Sequence, residues 1–281
     1  MLKFRLIKKK NIFDYIKLLS ITFPQTKKFN YLYLEWLYFK NPTGTVVGFD
    51  AFDEDVLIGH YSLIPSEVLI KGVKTRSLLS LNTAVHPNFR NKGLFTKLAN
   101  LSIKQAHKVG YEIIYGIANK NSLKGFKKIG FEFFGELDVI ISLTGLRINC
   151  DYNDLEFIPV WDESFLEWRT SNPNRKIFTV YNQSEFFHYT KIFKYLLNLV
   201  TPKISGKKDF QLKHRNYEHN SMFKLHIGRV SKNIVSKNLF KFNLPLIFRK
   251  APLNFIYLDL TGKNFINKNK IFFTFLDFDA Y

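Results

Sequence analysis

Leu81-Asn82-Thr83-Ala84-Val85-His86-Pro87 runs through Asn88-Phe89-Arg90-Asn91-Lys92 into Gly93-Leu94-Phe95-Thr96. A strand-like stretch ends at a proline, and beyond it the period changes. Leu94, Leu98 and Leu101, joined by Phe95, Ala99, Ala106 and Val109, define one apolar side of a helix that Gly110 terminates. The unpaired N–H groups of that helix's first turn then face outward beside Arg90 and Lys92. Such a terminus binds phosphates. Gly93 lets the backbone approach a diphosphate with no Cβ in the way, Arg90 and Lys92 add charge-assisted contacts, and Thr96 adds a hydroxyl donor. An ordinary basic helix start has the same composition, so the flanking sequence has to decide.

Upstream, Leu2–Leu6 reads as a strand, and Ile12–Ile21 and Tyr31–Phe39 read as helices. Val46–Phe52, Val56–Ile64, Glu67–Ile70 and Arg76–Val85 continue as strands. Downstream, Tyr111–Ile117 is a buried strand, Ser122–Ile129 a short helix and Phe131–Leu143 a last strand. A second cluster, Asn119-x-x-Ser122-x-x-x-Phe126 with Gly130-Phe131 behind it, opens the short helix.

These two clusters together resemble the GNAT superfamily of acyl-coenzyme A-dependent N-acyltransferases. Its signature, Arg/Gln-x-x-Gly-x-Gly/Ala after a strand ending Val-x-Pro, is matched at its first four positions by Arg90-Asn91-Lys92-Gly93-Leu94-Phe95; Phe95 stands where the small residue belongs. The resemblance implies an α/β (α+β) GNAT fold, a mixed and mostly antiparallel sheet flanked by helices. It also implies acyl-coenzyme A as co-substrate, with no metal. The acyl-pantetheine would add itself as a strand to the backbone of Thr83, Ala84 and Val85, and a main-chain N–H near Ala84 or Val85 would meet the oxyanion. Arg90, Asn91, Lys92, Gly93, Leu94, Phe95 and Thr96 would hold the diphosphate, and Asn119, Ser122 and Phe126 would line the pantetheine arm. Phe126 replaces a tyrosine that often protonates the departing thiolate. A thiol of pKa about 8.5 leaves tolerably unassisted, so the loss of an acid that contributes roughly 10²–10⁴-fold slows turnover without excluding it; water or Ser122 can substitute. The same resemblance makes His60 the first candidate for the base that frees the amine, ahead of Glu67, His86 and the acidic run Asp277-Phe278-Asp279-Ala280-Tyr281.

The chain also echoes itself. Leu34-Glu35-Trp36, Asn41-Pro42 and His60-Tyr61 return in order as Leu166-Glu167-Trp168, Asn172-Pro173 and His188-Tyr189. Coincidence in a compositionally biased chain is the competing explanation. Two related halves imply residues 1–143 as the acyl-CoA-binding half, a linker at 144–154 and a degenerate GNAT-like half at 155–281. That second half has no Arg-x-x-Gly-x-Gly element, so it is expected to bind no second coenzyme A and to hold the acceptor instead. Its strands read as Ile177–Tyr181, Met222–Val230, Leu253–Leu260 and Ile271–Phe278, and Arg169, Arg175, Lys203, Lys207, Lys208 and Arg215 are its basic candidates for a phosphorylated acceptor.

Composition bounds the partner. The 281 residues are 46 % hydrophobic and 23 % charged, ample for a core. A net charge of +19 favours anionic partners and disfavours a polycationic acceptor. The lysines are dispersed and no RNA-binding motif is present, which argues against nucleic acid or a membrane surface as partner. The single Cys150, with no zinc-ligand spacing, no secretory leader and no membrane span, points to a cytoplasmic protein. The expectation is an N-acyltransferase moving an acetyl or short hydroxyacyl group, such as 3-hydroxybutanoyl, to an amine on a nucleotide-linked amino-dideoxy sugar. Another small amine or a peptide is the alternative acceptor, and a non-catalytic basic binding protein is the alternative class. Oligomeric state is left open.

Overall fold

A computed structural model of the chain describes residues 1–143, 145–146, 154–182, 185–193, 196–205, 221–230, 241–243 and 253–279. In chain order, β1 (Leu2–Leu6), α1 (Ile12–Thr22) and α2 (Tyr31–Phe39) precede the three strands β2 (Val47–Asp53), β3 (Val56–Ile70) and β4 (Val73–Val85). Then come α3 (Leu94–Lys108), β5 (Ile113–Ala118), α4 (Lys120–Lys128), β6 (Glu132–Glu136) and β7 (Asp138–Ser142). The rest comprises β8 (Phe157–Pro159), α5 (Glu163–Thr170), β9 (Phe178–Asn182), β10 (Glu185–Phe193), β11 (Leu197–Val200), β12 (Ile204–Ser205), β13 (Phe223–Val230), β14 (Lys241–Asn243), β15 (Asn254–Asp259) and β16 (Phe272–Thr274).

The chain divides by contacts into two units. One comprises Met1–Val68, Lys74–Phe134 and Asn254–Phe265; the other comprises Leu69–Val73, Gly135–Leu253 and Ile266–Tyr281. This division departs from the linear split at 143. The expected single strand Phe131–Leu143 is two strands, with β6 in the first sheet and β7 in the second. β15, from near the C-terminus, lies in the first sheet beside β5. Most of the expected linker 144–154 falls outside the described residues.

The first sheet runs β1-β2-β3-β4-β5-β15-β6; β1 with β2, β2 with β3 and β5 with β15 are antiparallel, and β4 with β5 is parallel. β3 is one strand straight through Pro65, where the sequence pattern suggests a break. β2 pairs with β3 only between Val56 and Leu63, so the missing proline N–H lies beyond the end of that ladder, and the Pro65 carbonyl accepts from Asn41 Nδ2 (2.7 Å) and Thr43 Oγ1 (2.9 Å). Leu94, Leu98, Ala99 and Ala106 of α3 are buried with Ile58, Tyr61, Leu78 and Ile114, on the apolar side the sequence predicts, whereas Val109, expected on that side, is the exposed cap residue beyond the helix end.

The second sheet runs β12-β10-β11-β13-β7-β14, with β9 on β10 and β16 on β13. The sequence echo has a structural counterpart. Asn30 caps α2 through Tyr33 N and Asp162 caps α5 through Phe165 N, each at 2.9 Å. Asn41 accepts from Thr43 N as Asn172 accepts from Asn174 N. Each helix leads to an antiparallel hairpin whose histidine sits opposite a hydrogen-bonding partner, Asp50 for His60 and Thr179 for His188. Each sheet contains a parallel pair, β4 beside β5 in the first and β11 beside β13 in the second.

Candidate active site

The parallel ladder of β4 and β5 registers Ser77 with Ile113 and stops at Ser80 with Gly116. Two residues further on, Asn82 takes a left-handed backbone conformation (φ 57°) inside β4. A residue of this kind inside a strand bends it and ends pairing on one side. Among the described residues no strand takes up the edge of Leu81–Val85 that β5 releases, while the other edge stays tied to β3 through His86 N to Ile58 O at 2.8 Å. Thr83 and Val85 are half-buried and Ala84 is buried, so their main-chain groups border an opening in the sheet.

Beyond β4 a short 3₁₀ turn, Pro87–Phe89, is capped by His86, whose Nδ1 accepts from Asn88 N at 3.3 Å. Asn91 (φ 62°) and Gly93 (φ 73°) then fold the loop back, and Gly93 is the cap residue of α3. A glycine has no side chain to satisfy the first-turn N–H groups, and a Cβ built on Gly93 would meet nothing within 4 Å. Arg90, Asn91 and Lys92 are exposed, and neither Arg90 nor Lys92 forms an ion pair among the described residues. Lys92 Nζ lies 4.9 Å from the centre of the Phe89 ring, which holds it along the loop. Uncapped donors, open space and two cations satisfy the requirements of a diphosphate.

Phe95 does not close this corner. Its ring turns inward, edge-on to Phe126 at 5.3 Å and to Tyr61 at 6.0 Å, and fills the space left by Gly125. Thr96 and Leu94 follow in the first turn, half-buried and buried respectively. Phe126, expected along the pantetheine arm, is 4 % exposed and packs on Phe131, so it belongs to the core. Asn119 is exposed at the start of α4, and its Oδ1 accepts from Asn121 N and Ser122 N, both at 3.0 Å. Its Nδ2 makes no bond among the described residues and is free to donate to a ligand. Ser122 Oγ points back to Asn119, at 3.2 Å.

His60 does not reach the opening. It is fully buried, with Nδ1 at 2.7 Å from Asp50 Oδ1 and Nε2 at 3.0 Å from the Tyr38 hydroxyl. With both ring nitrogens engaged, His60 cannot touch an amine, and sequence reading misses Tyr38 and Asp50 because three distant segments have to meet first. Burial pushes the Tyr38 and Tyr15 phenols above their ordinary range, so both stay protonated. Glu67 is paired with Lys74 (2.6 Å) near the turn of the β3–β4 hairpin, away from the divergence. Asp277 accepts from Trp161 Nε1 (2.6 Å) and Thr274 N (2.7 Å), and burial pushes its carboxyl up to about 6. Asp279 is paired with Arg169 at 2.8 Å. Both acidic groups are buried and occupied within the second unit, and Arg169, 2 % exposed, is withdrawn from the basic residues available to an acceptor. Lys207, Lys208 and Arg215 lie outside the described residues.

The second unit diverges in the same place and is filled. β11 pairs with β13 as far as Leu199 with Leu225, and further along the same edge of β13 the chain's own β16 pairs Gly228 with Thr274 and Arg229 with Phe273. Gly228 is required there, since a Cβ would collide with the Phe273 carbonyl. No group of three His, Cys, Asp or Glu side chains able to hold a metal occurs among the described residues.

Comparison with known proteins gives the same outline. Residues 3–134 match the family model of the acetyltransferase (GNAT) domain. No curated protein matches the sequence. Among solved structures, a protein of unknown function from Enterococcus faecalis V583, described as a probable N-acyltransferase, superposes with a TM-score of 0.66 at 11 % identity, covering 92 % of this chain and 73 % of its own. A GCN5-related N-acetyltransferase from Anabaena variabilis gives 0.63 at 12 % identity, covering 93 % and 74 %. Saccharomyces cerevisiae N-myristoyltransferase with bound myristoyl-CoA gives 0.58 at 13 %, covering 95 % and 87 %. At these identities the likeness is one of fold, and the fold is GNAT.

Proposed function

We propose that the chain is an acyl-coenzyme A-dependent N-acyltransferase whose first unit binds the thioester and delivers its acyl group to an amine. The observation that carries this is the pairing, within one unit, of an uncapped helix start at Gly93 with the released edge of β4 at Leu81–Val85. The distance along the chain between them is short, so one ligand with a diphosphate at one end and an amide-rich arm at the other engages both. The thioester supplies an activated acyl carbon. Arg90, Lys92 and the α3 N-terminus hold the diphosphate, Asn119 Nδ2 and the main chain of Thr83–Val85 align the arm, and a main-chain N–H near Ala84 or Val85 receives the negative charge that develops when the amine attacks. No covalent bond to the protein is needed. The attacking nitrogen gives up one proton to water as the amide forms, and because Phe126 has none to give, the departing thiolate takes its proton from water or from Ser122.

The finer reading of the acceptor is an amine on a nucleotide-linked sugar, taking an acetyl or short hydroxyacyl group. The net charge of +19 supports an anionic acceptor over a polyamine. Free-thiol release from acetyl-CoA and 3-hydroxybutanoyl-CoA, assayed against nucleotide-linked amino sugars, simple amines and peptides, tests both levels. Release with a sugar nucleotide supports the full reading. Release with an uncharged amine or peptide alone retains the transferase and removes the sugar, and absence of any acyl-CoA binding removes the transferase.

A further inference from the structure

Six side chains of the first unit form one buried network of hydrogen bonds that ends on the strand divergence. Asp50 on β2 accepts from His60 Nδ1 (2.7 Å), which leaves Nε2 to accept from the Tyr38 hydroxyl of α2 (3.0 Å). The Tyr38 oxygen in turn accepts from Asn82 Nδ2 (3.3 Å) and lies 3.2 Å from Ser62 Oγ, which itself donates to the Leu81 carbonyl. Tyr15 secures the far end: it donates to Asp50 Oδ2 at 2.8 Å, and its ring stacks on that of His60 at 4.5 Å. Leu81 and Asn82, where β4 leaves β5, are therefore each gripped, one by its carbonyl and the other by its side chain.

A buried polar network of this kind contributes little stability beyond what apolar packing would supply, so its presence points to a geometric task. The second unit supports this. Its hairpin keeps the histidine, yet Thr179 stands opposite His188 where Asp50 stands opposite His60. Two residues past the tryptophan, where α2 has Tyr38, α5 has Thr170, whose hydroxyl turns back to the Leu166 carbonyl. The carboxylate and the phenol occur in the unit whose divergence no described strand fills, and not at these places in the unit whose divergence β16 fills.

We infer that Tyr38 is a positioning residue: by accepting from Asn82 it fixes the left-handed turn of β4 and thereby the line of main-chain groups at Thr83–Val85 that aligns the pantetheine arm. This rests on the acyl-CoA reading above. Calorimetric titration of the full chain with acetyl-CoA, and with adenosine 3′-phosphate 5′-diphosphate as a probe that has the diphosphate and lacks the arm, tests it. Tyr38→Phe is expected to weaken acetyl-CoA binding about 2- to 10-fold, the range of one hydrogen bond, and to leave the nucleotide probe within about twofold. Asn82→Gly keeps the left-handed turn but has no amide to anchor it, so it gives the same selective loss, and the double variant loses no more than either single one. Unchanged acetyl-CoA affinity in both variants, equal losses for the two ligands, or losses that multiply in the double variant would overturn the inference. Should Tyr38→Phe fail to fold, Ser62→Ala releases the Leu81 carbonyl and carries the same expectations. A wild-type chain that binds neither ligand overturns the acyl-CoA reading and this inference with it; wild-type binding with unaffected variants overturns this inference alone.

Discussion

Gly93, like Gly72 and Gly262, combines a left-handed backbone with a side-chain position facing open space, and it does so at the N-cap of α3. Under the proposed function, Gly93→Val places a branched side chain where the diphosphate would approach, and it forces that side chain into a conformation that β-branched residues avoid. Acetyl-CoA affinity, followed by calorimetry, is expected to drop at least about 100-fold, since both backbone approach and helix-terminal donors are lost; an unaltered dissociation constant would place the diphosphate elsewhere. Asn119 carries two tasks on two atoms, with Oδ1 capping α4 and Nδ2 left to donate. Asn119→Ala removes both and costs about 0.5–2 kcal/mol of stability in addition to affinity. Asn119→Asp keeps the cap and removes the donor, so its melting temperature stays at the wild-type value while acetyl-CoA binding weakens. A wild-type affinity in the aspartate variant takes Asn119 out of the binding site.

Among the elements, α2 shows how a helix with little polar surface is held. Tyr33, Leu34, Trp36, Leu37 and Tyr38 are buried on it, and Glu35 is drawn to Lys9 (2.7 Å) and Lys40 (2.8 Å). Hydrogen bonds from Lys40 and then Lys9 hold the Glu35 carboxyl down at about 2, below its ordinary 4.5. A folded-state value below the unfolded one stabilises above the unfolded pKa, and the contribution fades as pH falls from about 4.5 toward 2. Glu35→Gln is therefore expected to melt below wild type at pH 7 and to converge with it near pH 2–3, with salt narrowing the gap at pH 7. Parallel melting curves across that range would show that the pair contributes nothing. The α3 start was legible before folding, because a glycine, two cations and a change of period lie within one short segment, whereas the released stretch of β4 was expected only from the family resemblance. The α2–β2–β3 network was not legible, since His60 read as a candidate base at the site and Tyr38 and Asp50 as ordinary core or surface residues until the hairpin register sets Asp50 opposite His60.

For the whole molecule, the exchange of strands governs what can be separated. β5 pairs along all six residues of β15, from Ile113 with Asp259 to Ala118 with Asn254, so the sheet that bears the loop is incomplete without residues near the C-terminus. A fragment ending at residue 143 leaves that edge of buried β5 unpaired and is expected to aggregate or to show no cooperative unfolding by circular dichroism. Cooperative melting of this fragment with wild-type acetyl-CoA affinity would mean that β15 is dispensable. By itself the sequence determined the GNAT outline of the first unit, the glycine-led start of α3 with its two cations and the echo of short motifs along the chain, since all three depend on residues close together in the chain or on a repeated order of short motifs. Only the tertiary structure decided that β15 joins the first sheet and β7 the second, that β16 fills the divergence in one unit while no described strand fills it in the other, and that His60, Asp277 and Asp279 are buried in hydrogen bonds. Those outcomes turn on which strand edges meet across more than a hundred residues and on which polar groups burial forces together, and neither is set by local spacing.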